Sequence, residues 1–311
     1  AYIGSEIQEP RRNLPLSLML GTGAVVVLYV GLNSLFVFAV PPQEMQGTIA
    51  VGGLAAFHLF GTSGERMVSL AGGGSLTYDR LLIATGSAAV KPDLAGFEAP
   101  GVMVVKSLED GRKIKDFLKN NRVKKTIIIG MGYIALEMCE SLAGLNIAVD
   151  MVKPNPVFMP WLQPSMAQTI KEGLAAKGIG VYAGHTVERI ERSGDSLKVI
   201  CPDLSLTGEM VLVGIGVTPC SRIAETAGLK LGVQKSIAVD RNLRTSDKNI
   251  YAAGDCADAY HVVTAEKTWI PLALRANRAG WAVADNVCGI DRRLAGVVGS
   301  AVFKVFDLQV A

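Results

Sequence analysis

Apolar and polar positions divide the chain at about residue 70. From Asn13 to Gln43, 31 consecutive positions carry no charge, and Leu14–Val40 is apolar on every side. A bilayer's hydrocarbon core is crossed by ~20 such residues at about 1.5 Å rise each. The segment therefore predicts a transmembrane helix. A core helix would keep a polar stripe, and a signal peptide would have a shorter apolar run before a cleavage site. Beyond Glu65 the charges return, and short apolar runs alternate with segments of helical period.

That alternation predicts a parallel sheet. Leu76–Ala84 reads as a strand ending at Thr85-Gly86, followed by a helix over Leu108–Asn120. Thr126–Ile129 is fully apolar, as a strand covered on both faces should be. A helix over Tyr133–Leu145, a strand over Ile147–Val152 and a helix over Pro164–Lys177 follow. Shorter strands are expected at Val187–Glu191, Leu197–Cys201, Met210–Val213 and Ile250–Ala253. The last helix spans Pro271–Cys288, with Pro271 in its first turn. Ala71-Gly72-Gly73-Gly74-Ser75 reads either as a turn between strands or as a junction of two unrelated sequences, and the change of pattern favours the junction.

Composition narrows the class. A net charge of +3, with no basic run interleaved with aromatics, gives no nucleic-acid surface. Five widely spaced cysteines, Cys139, Cys201, Cys220, Cys256 and Cys288, with no C-x-x-C, argue against a disulfide framework or a zinc site. Each reads as a small buried hydrophobe. No metal site is expected.

Candidate chemistry concentrates in one string, Gly130-Met131-Gly132-Tyr133-Ile134-Ala135, set between an apolar strand and a helix. Gly130 permits the tight turn. Gly132 lets a pyrophosphate approach the backbone, and Ala135 lets the helix pack on the strand. The helix N-terminus then offers free N–H groups to the phosphates. An acid about twenty residues on would hold the adenosine ribose. Lys153 stands there instead, which favours the 2′-phosphate of NADP, while Asp150 inside the strand leaves NAD open. A second string, Thr245 to Asp255, ends an apolar strand in Gly254-Asp255 and presents a carboxylate at the sheet's carboxyl edge.

Six ordered strings carry a resemblance over about 75–311: YDRLLIATGS, IIIGMGYIALEMCESL, VLVGIGVTP, LRTSDKNIYAAGDCA, WIPLALRANRAG and VFKVFDLQVA. This part resembles the FAD-dependent pyridine nucleotide–disulfide oxidoreductases, in the branch of coenzyme A disulfide reductases and NADH oxidases. The resemblance implies FAD and NAD or NADP as cofactors, and a thiol, disulfide or oxygen as acceptor. It implies that Thr85 and Gly86 turn beside the flavin's adenosine part. Asp255, after Gly254, would bond the ribityl chain, and Pro271, Leu272 and Ala273 would lie beside the flavin ring. Tyr133 would be the aromatic gate over the flavin, Glu137 an acid near the nicotinamide, and Gly216 the edge of the NAD(P) site. Residues 1–70 resemble a piece of the amino acid–polyamine–organocation permeases. AYIGSEIQEPRRNLP matches a loop between two of their helices, Leu14–Val40 the next helix, and IAVGGLAAFHLFGTSGERMVSL the entry to a further one. Such a fragment holds no transport site.

The expected architecture follows. A permease-like transmembrane fragment covers 1–70 and part of an FAD-binding domain 71–122. A doubly wound parallel NAD(P)-binding domain covers 123–240, the second FAD part 241–290, and the start of an interface domain 291–311. Neither the family's FAD G-x-G-x-x-G nor its redox cysteine is recognised in the chain. The expected protein is therefore a truncated oxidoreductase with no catalytic residue assigned, or else a non-catalytic nucleotide-binding remnant or a permease fragment. The intact family forms homodimers through a domain expected to be mostly missing here. Residues 14–40 would be membrane-bound and the reductase-like part cytoplasmic. With Arg11 and Arg12 on the cytoplasmic side of one span, these locations conflict.

Overall fold

The computed structural model describes residues 26–27, 30–31, 34, 67–69, 74–160, 162–300 and 302–310. The expected span Leu14–Val40 lies outside them except for five residues, Val26, Val27, Val30, Gly31 and Ser34, which are helical and exposed. Among the described residues no helix is long and apolar enough to cross a membrane. The chain forms two units, Ala1–Asp79 and Arg80–Ala311.

In the first unit β1 (Met67–Ser69) pairs antiparallel with β2 (Ser75–Thr77). The glycine cluster at 71–75 therefore joins two paired strands, as the turn alternative had it. The strand expected over Leu76–Ala84 does not run through. The chain bends at Asp79-Arg80, and β3 (Leu81–Ile83) belongs to the second unit.

The second unit is built on five parallel strands in the order β5 (Val102–Val104), β12 (Met210–Val213), β6 (Lys125–Ile129), β7 (Ala148–Lys153) and β8 (Gly180–Ala183). Side chains alternate across a strand, and here both faces are buried. Ile128, Met151 and Leu212 enter one core, and Ile127, Ile129, Val152, Val211 and Val213 enter the other. This is why β6 and β12 are continuous apolar runs. The first core is closed by α1 (Leu108–Asn120), α2 (Tyr133–Ala143) and α3 (Pro164–Ala176), through Ile114, Leu136, Leu142, Ile170 and Leu174. Among the described residues the second face carries no helix layer, a correction to the doubly wound expectation. It is closed by a three-stranded antiparallel sheet, β9 (Arg189–Ser193), β10 (Ser196–Ile200) and β11 (Ser205–Gly208), through Ile190, Leu197, Val199 and Leu206. The sheet also begins before residue 123, since β5 is its edge strand.

Beside this sheet, β3 pairs parallel with β14 (Ile250–Ala252), and β4 (Ser87–Ala89) pairs antiparallel with β13 (Val217–Pro219). Helix α4 is short (Arg222–Thr226), and β15 (Ala259–Tyr260) and β16 (Lys267–Thr268) form a small ladder. The long helix α5 spans Ala273–Val287. Its N-cap is Leu272, so Pro271 precedes the helix and does not occupy its first turn. A hairpin, β17 (Phe303–Val305) and β18 (Leu308–Val310), ends the described chain.

Local chemistry explains the helix starts. Ser107 caps α1 by accepting from the Asp110 N–H at 3.1 Å, and the Asp110 carboxylate accepts from the Ser107 N–H at 2.9 Å, a reciprocal capping box. α3 opens on Pro164, whose missing N–H is not needed there. Glu209 does a similar service for β6, accepting from the N–H groups of Lys124 at 2.9 Å and Lys125 at 2.8 Å.

Burial raises the Glu209 carboxyl's pKa, but the two backbone donors outweigh it and hold the group below the ordinary value of 4.5. A group depressed in the folded state stabilises above its unfolded pKa, and that stabilisation is lost as pH falls through the folded value. Glu209→Gln should therefore cost about 1 kcal/mol at pH 7, and the gap to wild type should close below about pH 4.5. Denaturant titrations across that range check it.

Candidate functional site

The β6–α2 turn is shaped by two glycines with different reasons. Gly130 has φ +117°, and a Cβ there would lie inside the Gly214 carbonyl oxygen at the end of β12. Its N–H donates to Val152 O at 2.8 Å, and Gly214 N–H donates to Ile129 O at 2.7 Å. The turn is thus pressed between the ends of β7 and β12. Gly132 has an ordinary φ of −86°, and a Cβ added to it meets nothing within 4 Å. Local backbone does not require that glycine; the open space in front of it does. Gly132 is also the N-cap of α2 and provides no side-chain cap, so the helix's first N–H groups face that space. Ala135 is buried, and a Cβ on Gly214 would stand 3.4 Å from the Ala135 Cβ. A residue larger than alanine at either position would press α2 away from the sheet.

Lys153 ends β7, with its ammonium donating to Val157 O at 2.9 Å, and partial burial lowers its pKa. Asp150 is buried inside the strand and faces Gly180, with Lys125 Nζ 2.6 Å from its carboxylate. Paired there, it is not presented at the strand's carboxyl end, where Lys153 stands. Tyr133 and Glu137 lie one turn apart on the exposed side of α2, and the Tyr133 ring meets Phe303 edge-on at 5.0 Å. Gly216, at φ +114°, has open space at its Cβ position.

A second cluster forms at the end of β14. Gly254, at φ +82°, turns the chain so that Asp255 leaves the strand's carboxyl end. The Asp255 carboxylate accepts from Ser87 Oγ at 2.8 Å and from Lys106 Nζ at 3.0 Å. Its carbonyl accepts from Trp269 Nε1 at 2.7 Å. Buried Arg275 donates to the carbonyls of Gly254 at 3.1 Å and Ala257 at 2.8 Å, which braces the turn. Burial lowers the Arg275 pKa, while Asp255 and Asp258 oppose the shift. The Thr85 hydroxyl donates to Cys220 O, and Gly86, at φ +72°, accepts from Cys220 N–H at 2.9 Å. Leu272 caps α5 and Ala273 begins it, next to Pro271.

The sequence reading missed Ser87, Lys106, Arg275 and Phe303. Ser87 directly follows Thr85-Gly86 and could have been found from that neighbourhood. Lys106 lies 149 residues from Asp255 and Phe303 lies 170 from Tyr133, so no local pattern links them. A cleft of about 280 Å³ opens beside Arg275, and of the expected site residues only Leu272 lines it. Cys139, Cys201 and Cys256 are buried, whereas Cys220 is half-buried and Cys288, just past α5, is exposed, a correction to the expectation that all five are buried. Burial pushes the Cys139 thiol up to about 12 and raises Cys201, so neither is a ready thiolate. No metal-holding cluster of His, Cys, Asp or Glu occurs among the described residues.

Residues 55–280 match the family model described as pyridine nucleotide-disulphide oxidoreductase. The chain belongs to that family. It is 34% identical over 237 residues to a protein of Methanocaldococcus jannaschii named NADH oxidase, covering 76% of this chain and 52% of the relative. It is 28% identical over 245 residues to the CoA-dependent NAD(P)H sulfur oxidoreductase of Pyrococcus furiosus, covering 76% and 53%. Among solved structures, the NAD-dependent persulfide reductase from A. fulgidus superposes with a TM-score of 0.72 at 34% identity, covering 78% of this chain and 46% of that one. The chain spans about half the length of these oxidoreductase relatives. The permease reading of residues 1–70 finds no support in these comparisons. The oxidoreductase match covers residues 55–70 as well and runs through the glycine cluster, against a junction there.

Gly130→Ala places a methyl group at a left-handed φ and against a fixed carbonyl. It should cost about 2 kcal/mol or more. Gly132→Ala should cost about 1 kcal/mol or less. Denaturant midpoints of the two variants check the contrast.

Proposed function

We propose that this chain carries the nucleotide-handling part of a flavin-dependent NAD(P)H oxidoreductase. The observation that carries the reading is the open cradle at Gly132, where an added Cβ would fill space in front of uncapped helical N–H groups. That donor set suits a pyrophosphate, with the partial positive charge of α2 behind it. Gly130 and Ala135 hold the cradle's shape, and Gly216 borders it. Tyr133 and Glu137, on the side of α2 that follows, are the residues for the nicotinamide end.

The FAD assignments rest on the second cluster. Thr85 and Gly86 shape the turn that Cys220 closes, and Asp255 offers a carboxylate suited to ribityl hydroxyls. Pro271, Leu272 and Ala273 form the entry to α5. When bound, FAD supplies the acceptor for the nicotinamide's hydride. The protein's own part is to hold the nucleotide by its phosphates, orient it and keep the Asp255 carboxylate in place through Lys106. The names of the relatives point to coenzyme A disulfides, persulfides or oxygen as the class of final acceptor. The buried, unactivated thiols of Cys139 and Cys201 favour an electron path that uses neither.

For the nucleotide, NADPH is the better fit. Asp150 is engaged by Lys125, and Lys153 offers an ammonium at the end of β7.

Two measurements test this. Gly132→Val should abolish NADPH binding in a fluorescence titration while leaving the melting temperature close to wild type; unchanged affinity would falsify the cradle. Wild type should bind NADPH more tightly than NADH, and Lys153→Glu should reverse that order, because a charge-assisted bond becomes a repulsion. A wild-type preference for NADH would remove Lys153 from the site.

A further inference from the structure

The cleft of about 280 Å³ beside Arg275 shares no residue with the cradle at Gly132. Its volume is near the lower end of small-molecule sites, about 300–1,000 Å³. Buried Val239 and Leu243 and half-buried Leu272 and Val297 make its lining apolar, and exposed Leu274 and Val298 extend it. One wall is a strap, residues 294–300, that is fastened to both sides. Leu294 N–H donates to Arg241 O and Val297 N–H donates to Tyr260 O, each at 2.8 Å. His261 Nε2 lies 3.0 Å from Val298 O. Gly296, at φ +122°, permits the approach, since a Cβ there would stand 2.6 Å from Tyr260 O. Ahead of the strap, buried Asn286 donates to Arg292 O at 2.8 Å and accepts from Arg292 N–H at 3.0 Å. The strap is therefore a built wall.

The charges around this cleft are unevenly matched. Asp258 is 1% exposed and accepts from Lys267 Nζ at 2.7 Å and from Val239 N–H at 3.1 Å. Asp240 accepts from the N–H groups of Asn242 at 2.8 Å and Arg244 at 2.9 Å. Arg275 is engaged by the carbonyls of Gly254, Ala257 and Asp258. Two guanidiniums on the lining remain. Arg278 is exposed on α5, and its side chain has no hydrogen bond or ion pair among the described residues. Arg241 lies over the Tyr260 ring, with Cζ 4.9 Å from the centroid, and has no carboxylate partner among the described residues. A guanidinium over a ring keeps its N–H edges for an oxyanion.

We propose that this cleft binds a small amphipathic carboxylate, its apolar body against Val239 and Leu243 and its charged end at Arg241 and Arg278. Burial of the body supplies affinity, and the two unmatched cations select the charge. The lining carboxylates do not oppose it, because Asp258 and Asp240 already have donors of their own.

The test titrates the full chain with butanoate, hexanoate and octanoate by calorimetry. Affinity should rise about fourfold per methylene as the apolar body is buried. 1-Octanol, the same body without the charge, should bind about tenfold more weakly than octanoate or worse. Arg241→Gln and Arg278→Gln should each weaken octanoate by about tenfold and leave 1-octanol unchanged. Val298→Ser should weaken both by about threefold or more. Arg278 has no side-chain partner to lose, so its variant carries the comparison if Arg241→Gln melts below wild type. No binding of octanoate, equal binding of 1-octanol, or arginine variants that bind octanoate like wild type overturns the proposal. So does a wild type that sediments as a dimer, binds no octanoate and becomes monomeric in Arg278→Glu, which gives the cleft to a second copy. None of these titrations contains a nucleotide, so their failure leaves the nucleotide reading standing.

Discussion

The close approach of the β6–α2 turn to the end of β12 is the constraint on which the rest of the molecule depends. Two glycines, Gly130 and Gly214, make it possible: a side chain on the first would strike the carbonyl of the second. That contact sets how deeply α2 sits on the sheet, and Ala135 keeps the depth by being small. Everything proposed for the nucleotide hangs from α2: the N–H groups past Gly132, the ring of Tyr133 and the carboxylate of Glu137. A shift of the helix by one methyl group's width would displace all three together, because packed interiors do not absorb such changes locally.

The second cluster is held by charge. Asp255 is brought out by a left-handed glycine, braced from behind by Arg275 and Trp269, and matched by Lys106. Lys106 stands between β5, an edge strand of the nucleotide-binding sheet, and α1. The acid at one strand end is thus tied to the sheet that carries the other cradle. The carboxylate is partnered by one hydroxyl and one ammonium, two contacts that fix its direction.

The two faces of the parallel sheet are closed by different means, and this bears on how the sequence reads. The helical side was legible because α1, α2 and α3 have clear apolar periodicity and recognisable starts at Ser107, Gly132 and Pro164. Helix α1 matches its expected limits of Leu108 and Asn120. On the other face the strands are short and half-polar. β9 and β10 are placed to within a few residues, but β11 is not foreseen, nor is β8 at the edge of the parallel sheet. Nor was it visible that this face carries an antiparallel sheet in place of helices, because which layer covers which face is decided by pairing between β9, β10 and β11.

By itself the sequence determined the parallel α/β core, the glycine turn with its helix, and the strand ending in Gly254-Asp255. Each is a local pattern in which neighbouring residues act on one another. It misjudged Ala71–Ser75, where a change of composition resembled a boundary and the chain instead connects two paired strands. Only the tertiary structure decided that Asp150 is spent on Lys125, that Lys106 and Ser87 hold Asp255, and that Phe303 meets Tyr133. These are contacts between residues brought together by sheet order and hairpin docking, and neither spacing nor period along the chain encodes which side chains will meet.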